Sequence, residues 1–202
     1  MGVSRQQAAE NRSAIVAAAE RLFRVRGVDA VGLTELMKEA GFSQGGFYNH
    51  FKSKDALVTA VMEKAMQDYA DSPSGGSLGK QAARYLSASH RDNLAAGCPL
   101  SGFAGDALRM TDAARASYAR GLAAYLDRLA AMIATEGATT EQTRRDAIAA
   151  FSQMVGALVL SRAIAGADPA FPTKSSTRGG ARSSTRSTTR SRRTAGRSRS
   201  DR

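Results

Sequence analysis

Apolar positions recur every three or four residues along the first 166 residues of this chain, as they do on one face of an α-helix. We find no convincing strand pattern and therefore predict an all-α protein. An N-terminal three-helix head should be followed by a larger helical body. The predicted helices cover residues 11–26, 33–40, 44–50, 54–69, 78–94, a short segment from 99, 112–136 and 140–165.

Residues with strong turn and capping preferences mark several of these boundaries. Gly27 supplies a C-terminal stop for the first helix. Ser43 and Ser53 are predicted to cap the third and fourth helices. A Ser/Pro/Gly-rich loop is expected at 71–77, and Pro99 occupies a favoured first helical position.

The composition changes abruptly near residue 172, which sets the domain organisation. We predict a DNA-binding head over 1–53, a helical ligand-binding and dimerisation domain over 54–171, and a tail over 172–202. The tail is rich in Arg, Ser, Thr and Gly, so we expect it to be disordered. Residues 173–202 hold ten basic residues and one acid, a charge of +9 out of +11, which leaves only +2 for 1–172.

Composition also indicates the compartment. A single cysteine, Cys98, excludes an intrachain disulfide and fits a reducing environment. Residues 1–11 are polar and show no signal-peptide pattern. We see no uninterrupted apolar run of the roughly 18 residues that a membrane span requires, so no membrane association is expected.

The segment from Gly41 to Lys54 (GFSQGGFYNHFKSK) is the most informative one for function. It follows a short amphipathic helix and has the pattern of the turn and second helix of a helix-turn-helix unit. Such a unit places its second helix in the major groove of DNA. The sequence therefore indicates a DNA-binding protein, and the question becomes which DNA it binds and what releases it.

Base contacts are expected from the start of the third helix. The amides of Gln44 and Asn49 suit adenine edges, and Phe47 suits a thymine methyl group. Gly45 and Gly46 would let the backbone approach the bases closely. The alternatives are that Phe47 belongs to the core and that the glycines serve helix packing.

The N-terminal 57 residues resemble the tetracycline-repressor (TetR) family of bacterial transcription regulators. A narrower branch of that family matches the LMKEAG and GGFY segments, His90-Arg91-Asp92, and Gly97-Cys98-Pro99-Leu100 in the body. The resemblance extends over about residues 10–166. The residues that carry the family resemblance are Ala40, Gly41, Gly45, Tyr48, His50, Phe51, Ser53, Lys54 and Leu57.

The resemblance implies an all-helical homodimer in the bacterial cytoplasm, associated with the nucleoid. It implies repression of transcription until a small ligand binds the C-terminal domain. The sequence itself shows no phosphate loop or metal-ligand cluster, so no metal or cofactor is expected. Tyr48 and His50 would contact phosphates, joined by Thr34 and Lys54 at helix starts. A dimer would bind an inverted-repeat operator.

Two departures from the family pattern stand out. Gly32 occupies the cap of the second helix, where most members have Thr or Ser. The further amphipathic helix that usually completes the dimer interface is replaced by Asp168-Pro169 and the basic tail. A reading-frame change in a GC-rich gene is one hypothesis for this replacement; a functional tail is the other.

Cys98 is the main candidate for a chemical switch. It precedes Pro99 and stands where the cap of the short sixth helix would be, so the helix dipole would favour its thiolate. His90 and Arg91 would add positive charge if the chain folds back. Oxidation or alkylation of Cys98 would then release DNA. The alternatives are a buried packing residue and a wall of a ligand pocket.

An effector pocket is expected between the fifth, seventh and eighth helices. Its few polar groups favour an apolar or aromatic ligand, although each candidate could instead belong to the core. The candidates are Tyr85, Leu86, His90, Phe103, Tyr118, Leu122, Tyr125, Phe151 and Met154.

Two other functions are alternatives to that of a repressor. A thiol enzyme would use Cys98 as nucleophile and His90 as base, but the sequence offers no evident third member, phosphate loop or metal-ligand cluster. A nonspecific nucleic-acid binder would use the arginines of the tail, with affinity that falls steeply with salt.

Overall fold

The structure, a computed structural model, describes residues 4–72, 76–134 and 137–167, and within them it is helical without a strand. The fold class is therefore confirmed. The elements are α1 Arg5–Arg26, α2 Leu33–Glu39, the 3-10 helix η1 Gln44–Asn49, α3 Lys54–Asp71, α4 Leu78–Tyr85, α5 Ala88–Asp92, α6 Pro99–Gly102, the 3-10 helix η2 Ala107–Arg109, α7 Asp112–Ile133 and α8 Thr140–Ile164.

The head is built from α1, α2 and η1 around one apolar core. Phe23, Leu36 and Phe47 are fully buried there and hold the three elements together. The chain turns from α2 to η1 at Gly41, whose φ of 84° lies in the left-handed region that favours glycine. This turn brings η1 against α2.

Helix α3 joins the head to the body. It packs against α1 on one side and against α7 on the other. A Cβ added at Gly121 of α7 would lie 2.4 Å from Met66 Sδ and 3.0 Å from Met66 Cβ, so only glycine allows α7 to approach α3 this closely. The predicted division at residues 53 and 54 coincides with the start of this shared helix.

Three local predictions differ from the structure. The helix predicted over 78–94 is two helices, because Ser87 leaves the helical path and its hydroxyl caps α5 by accepting from the His90 N–H. Ser43 does not cap η1 through its side chain, whereas Ser53 does cap α3. The third helix is a 3-10 helix, with bonds such as Gly46 N to Ser43 O at 3.1 Å, since two consecutive glycines disfavour an α-helix.

Helix α8 meets the length and hydropathy of a membrane span, with a mean hydropathy of 1.6 over an 18-residue window that is 28% buried. The expectation from the sequence missed this helix, because Ser152, Gln153 and Arg162 interrupt its apolar run. Phe151, Met154 and Leu158 of α8 are buried against the body, as in the core helix of a folded domain. Ile148, Val159 and Leu160 form an exposed apolar face, with 44%, 47% and 62% of their surfaces accessible.

The predicted tail, 172–202, and the Asp168-Pro169 segment lie outside the described residues. The predicted end of the seventh helix at 136 does too, and α7 ends at Ile133.

Candidate DNA-binding surface and regulatory groove

The turn from η1 to α3 presents most of the predicted DNA contacts to solvent. Tyr48 is 68% exposed, and Gln44, Gly45 and Asn49 are exposed as well. Gly46 and His50 are half-buried. Because Gly45 has nothing within 4 Å of a Cβ built on it, this part of η1 projects freely from the protein.

One hydrogen bond orients the exposed edge of η1. The Thr34 hydroxyl donates to Gln44 Oε1 at 2.7 Å and so links the start of α2 to the start of η1. This bond uses one lone pair of the Gln44 amide oxygen and leaves the amino group of this exposed residue available as a donor. Acceptors on purine bases in the major groove, such as guanine O6 and N7, suit that donor.

The prediction that Phe47 contacts a thymine methyl is wrong for this structure. Its ring is 0% exposed and packs on Phe51 at 5.8 Å between ring centroids. The apolar face of η1 therefore serves the core, which was the alternative stated for Phe47. Tyr48 meets the same ring edge-on at 5.3 Å and remains on the outside.

Lys54 has a role inside the fold in addition to its predicted phosphate contact. Its ammonium donates a hydrogen bond to the Val31 carbonyl at 2.7 Å. It also lines a cleft of about 70 Å³ with Asp29, Asp55 and Asp106, of which Asp29 and Asp106 pair with Arg109. Lys54 is thus a weaker candidate for DNA than Tyr48.

The body carries an open groove of about 540 Å³ next to Cys98. Tyr85, His90 and Cys98, three of the predicted effector residues, lie together on it. Tyr125 and Phe151 stand behind Tyr69 and Tyr85, with centroid separations of 5.5 Å for Tyr69–Tyr125 and 6.1 Å for Tyr85–Phe151. The lining residues are Tyr69, Ser72, Gln81, Arg84, Tyr85, Ser87, Ser89, His90, Asn93, Ala96, Gly97 and Cys98.

His90 fixes the loop that carries Cys98. Its Nε2 accepts a hydrogen bond from the Cys98 backbone N–H at 3.0 Å, and its Nδ1 lies 2.6 Å from the Tyr85 carbonyl oxygen. A ring that accepts at Nε2 and donates at Nδ1 is neutral. Burial lowers the pKa of His90 below its ordinary value of 6.5. The charges of Arg162 and Arg84 lower it further, whereas the hydrogen bond to the Tyr85 carbonyl opposes the change.

The predicted positive charge near Cys98 comes from other residues than expected. His90 is neutral, and the Arg91 guanidinium pairs with Asp92. Instead, Arg24 of α1 donates to the Gly97 carbonyl at 2.7 Å and Arg162 of α8 donates to the His90 carbonyl at 3.0 Å. Both residues are distant in sequence, so no local pattern could have revealed them.

Cys98 is itself buried, with 6% of its surface exposed. It begins α6 without a side-chain capping bond, and Pro99 follows as predicted. Tyr69 and Tyr85 lie beside it. The pKa of both phenols lies far above the ordinary value of 10, mainly because the phenols are buried and also because the Cys98 thiol is near.

The remaining effector candidates are dispersed. Phe103 is fully buried and faces the Arg24 guanidinium at 5.6 Å, next to the head. Tyr118 donates to the Leu100 carbonyl at 2.6 Å, and burial raises its pKa to about 12. It lines a different depression. Leu122 and Leu86 are partly buried against the core, and Met154 is buried.

Sequence reasoning missed several residues of the groove. Tyr69 is partly buried at the end of the predicted fourth helix, where a hydroxyl on an apolar stripe is a signal for a polar contact. Gln81 and Arg84 follow it on α4. Gln81 is buried, and its amide donates to the Tyr125 hydroxyl at 3.3 Å.

The lowered pKa of His90 predicts a specific pH dependence of stability. The folded state favours the neutral ring, whereas the unfolded chain binds a proton near pH 6.5. The stability that His90 contributes is therefore present above pH 6.5 and is lost as the pH falls toward the lowered pKa. Urea unfolding between about pH 7.5 and 5 should show a steeper loss for the native chain than for His90→Gln.

The other histidine offers the control. His50→Gln should keep the native slope, since it leaves the hydrogen bonds of His90 with Cys98 and Tyr85 in place. Equal slopes for the native chain and His90→Gln would contradict the neutral state assigned to His90.

Comparison with known proteins also indicates a DNA-binding helix-turn-helix in the head. Residues 15–61 match the sequence model described as bacterial regulatory proteins, tetR family. The repressor NemR of Escherichia coli is 37% identical over 60 residues, which are 30% of this chain and 30% of NemR. The regulator AcrR of Shigella flexneri is 40% identical over 60 residues, 30% of this chain and 28% of AcrR. The chain thus spans less than a third of these relatives.

The fold likeness covers more of the chain. The reduced form of E. coli NemR aligns over 82% of this chain and 92% of its own, with a TM-score of 0.63 and 20% identity. A TetR regulator of Chloroflexus aurantiacus aligns over 85% and 93%, with a TM-score of 0.68 and 20% identity. Residues 15–61 therefore resemble the helix-turn-helix domain of the tetR-family regulators. The described part of the chain has the same fold as these solved structures.

Proposed function

We propose that this protein is a sequence-specific transcription regulator that represses its target until a ligand or a modification of Cys98 releases it from DNA. The exposed edge of η1 carries the proposal. There Gln44 is exposed and hydrogen-bonded to Thr34, and Gly45 leaves the backbone open to the bases. Tyr48, Asn49 and His50 follow, with Gly46 beneath them and Lys54 at the rim.

The proposed active form is a homodimer on an inverted-repeat operator, in the cytoplasm and at the bacterial nucleoid. The exposed face of α8 supports the dimer, because Ile148, Val159 and Leu160 have no partner to cover them among the described residues. A second copy would bury them and bring two heads to one face of the duplex.

The proposed switch is the groove beside Cys98. The thiol is one residue from the Gly97 carbonyl, which binds Arg24 of the head. Alkylation joins a carbon group to Sγ in a site that is 6% exposed, so the loop must move to admit it.

We also assign the chain to the branch with the Gly-Cys-Pro-Leu motif. The similar fold of FadR from Bacillus subtilis was solved with stearoyl-CoA, at a TM-score of 0.55.

A band shift tests this proposal and supplies its main prediction. The DNA upstream of the chain's own gene is the probe, at about 150 mM salt, with and without N-ethylmaleimide. The native chain should bind this DNA specifically and release it after treatment, whereas Cys98→Ser should stay bound. Specific binding that withstands the reagent while Cys98 is fully modified would overturn the proposed Cys98 switch but not the proposed DNA-binding function. Absence of specific binding would overturn the proposal that the protein is a transcription regulator.

The alternatives have less support. His90 Nε2 accepts from the Cys98 backbone N–H, so it is not placed as the base of a thiol enzyme. Nonspecific binding through the basic tail would survive deletion of the head, and the comparisons do not favour it.

A further inference from the structure

We propose that Arg12 of α1 and Lys52 of the turn before α3 form a further binding site for the DNA backbone, beside the exposed edge of η1. The site takes phosphate oxygens of the duplex and extends the contact surface from η1 onto α1. This inference rests on the proposed function, because it adds residues to the same DNA-binding surface. Three observations carry it: the stacking of Arg12, the lack of carboxylate partners, and the continuity of the site with η1.

An aromatic ring holds Arg12 in place. Its guanidinium carbon lies over the Phe51 ring, 4.6 Å from the ring centroid. Only 3% of the Phe51 surface is exposed, so the ring is a fixed support. Arginine stacks on aromatic faces and still presents N–H donors in a fork that fits a phosphate. Among the described residues Arg12 donates no hydrogen bond, so these donors are available to an anion.

The unpaired charge of Arg12 contrasts with the second half of α1. The arginines there all form ion pairs: Arg21 with Glu39, Arg24 with Glu20 and Arg26 with Glu35. Arg12 and Lys52 are exposed, and neither forms an ion pair within the described ranges. Glu10 accepts from Gln6 instead, and residues two positions apart do not face each other on a helix. The paired arginines serve the fold, whereas Arg12 and Lys52 are free to bind phosphate.

The site adjoins the edge of η1 that the proposed function assigns to DNA. Phe51 packs on Phe47, and the Phe47 ring meets Tyr48 edge-on at 5.3 Å. Tyr48 is 68% exposed. Lys52 follows Phe51 directly in the chain. One aromatic cluster therefore supports both Tyr48 and Arg12, and a duplex that docks on η1 brings its backbone to Arg12 and Lys52.

The salt dependence of DNA binding tests the inference. Each lost phosphate contact lowers the slope of log affinity against log salt by about 0.9, so this slope counts contacts and is not a measure of stability. Fluorescence anisotropy of the full chain with the labelled duplex upstream of its own gene gives the slope between about 50 and 200 mM salt. Arg12→Gln should lower the slope by about 1 per protomer and weaken binding about fivefold at about 150 mM salt, and Lys52→Gln should act in the same direction.

Arg115→Gln is the matched control. It removes an equal charge from an exposed position of α7, where Arg115 pairs with Asp112. It should keep the native slope and change the affinity by less than about twofold. Arg12→Lys should also keep the slope, because the charge remains, but lose about two- to threefold in affinity, because lysine lacks the planar fork.

Neutral methylphosphonate linkages locate the phosphate. At one or more positions of the duplex, this replacement should weaken binding of the native chain about fivefold and leave Arg12→Gln unaffected, because that variant has already lost the contact. If the native chain and Arg12→Gln respond alike at every position, the inference is wrong. An unchanged slope in Arg12→Gln or Lys52→Gln, or an equal change in Arg115→Gln, would also overturn it.

A duplex of random sequence separates this inference from the proposed function, because phosphate contacts do not depend on sequence. If the native chain binds both duplexes equally while Arg12→Gln lowers the slope on both, only the proposed function fails. Specific binding with a native slope in Arg12→Gln would overturn only this inference. No binding to either duplex would overturn both.

Discussion

Gly45→Glu should reduce specific DNA affinity by at least about 100-fold without loss of stability. The built Cβ at Gly45 has nothing within 4 Å, and no left-handed φ restricts the residue, so the folded head accepts a side chain there. On DNA the same side chain would stand between η1 and the base edges and bring a negative charge to the phosphates. Band shifts measure the affinity, and thermal unfolding measures the stability.

Gly105→Glu is the matched control, because its built Cβ is equally free and the residue lies in the body. It should keep native affinity. Similar losses for both variants would show that net charge alone is responsible. Native affinity in Gly45→Glu would mean that η1 does not enter the major groove.

Arg24→Ala should lower the free energy of unfolding by about 3 kcal/mol, since it leaves a buried carboxylate without its main partner. The side chains of Arg24 and Glu20 are 7% and 13% exposed and form an ion pair. Arg24 also donates to the Gly97 carbonyl and lies over the Phe103 ring. Burial lowers the pKa of Arg24, while Glu20 opposes that change. Urea unfolding monitored by circular dichroism measures the loss.

Arg21→Ala provides the comparison from the same helix. Arg21 pairs with Glu39, and the two side chains are 52% and 49% exposed, so this change should cost about 0–1 kcal/mol. Equal losses for the two variants would contradict the role given to Arg24. In the band shift, Arg24→Ala should also respond less to modification of Cys98, because Arg24 joins the loop before Cys98 to α1.

The helical pattern could be predicted because each helix shows its own periodicity and caps. Ser53, Pro99 and Gly27 act as the sequence indicated. The break at Ser87 was missed because the apolar spacing continues across it. The serine ends one helix and caps the next, which a periodicity cannot reveal.

The groove was predictable only in part. Cys98, His90 and Tyr85 lie within fourteen residues of one another and could be associated from the sequence. Arg24 and Arg162 reach the same loop from α1 and α8, and only tertiary packing brings them there. Phe103 was predicted in the effector pocket, but tertiary packing places its ring against Arg24 of the head.

Selection of bound sequences from a random DNA pool, at about 150 mM salt, tests the central claim most directly. A dimeric helix-turn-helix regulator should enrich an inverted repeat with half-site centres about 10 base pairs, or a multiple of that spacing, apart. The same selection with Gly45→Glu should enrich nothing. A pool without an enriched motif, or the same motif recovered with Gly45→Glu, would contradict the account.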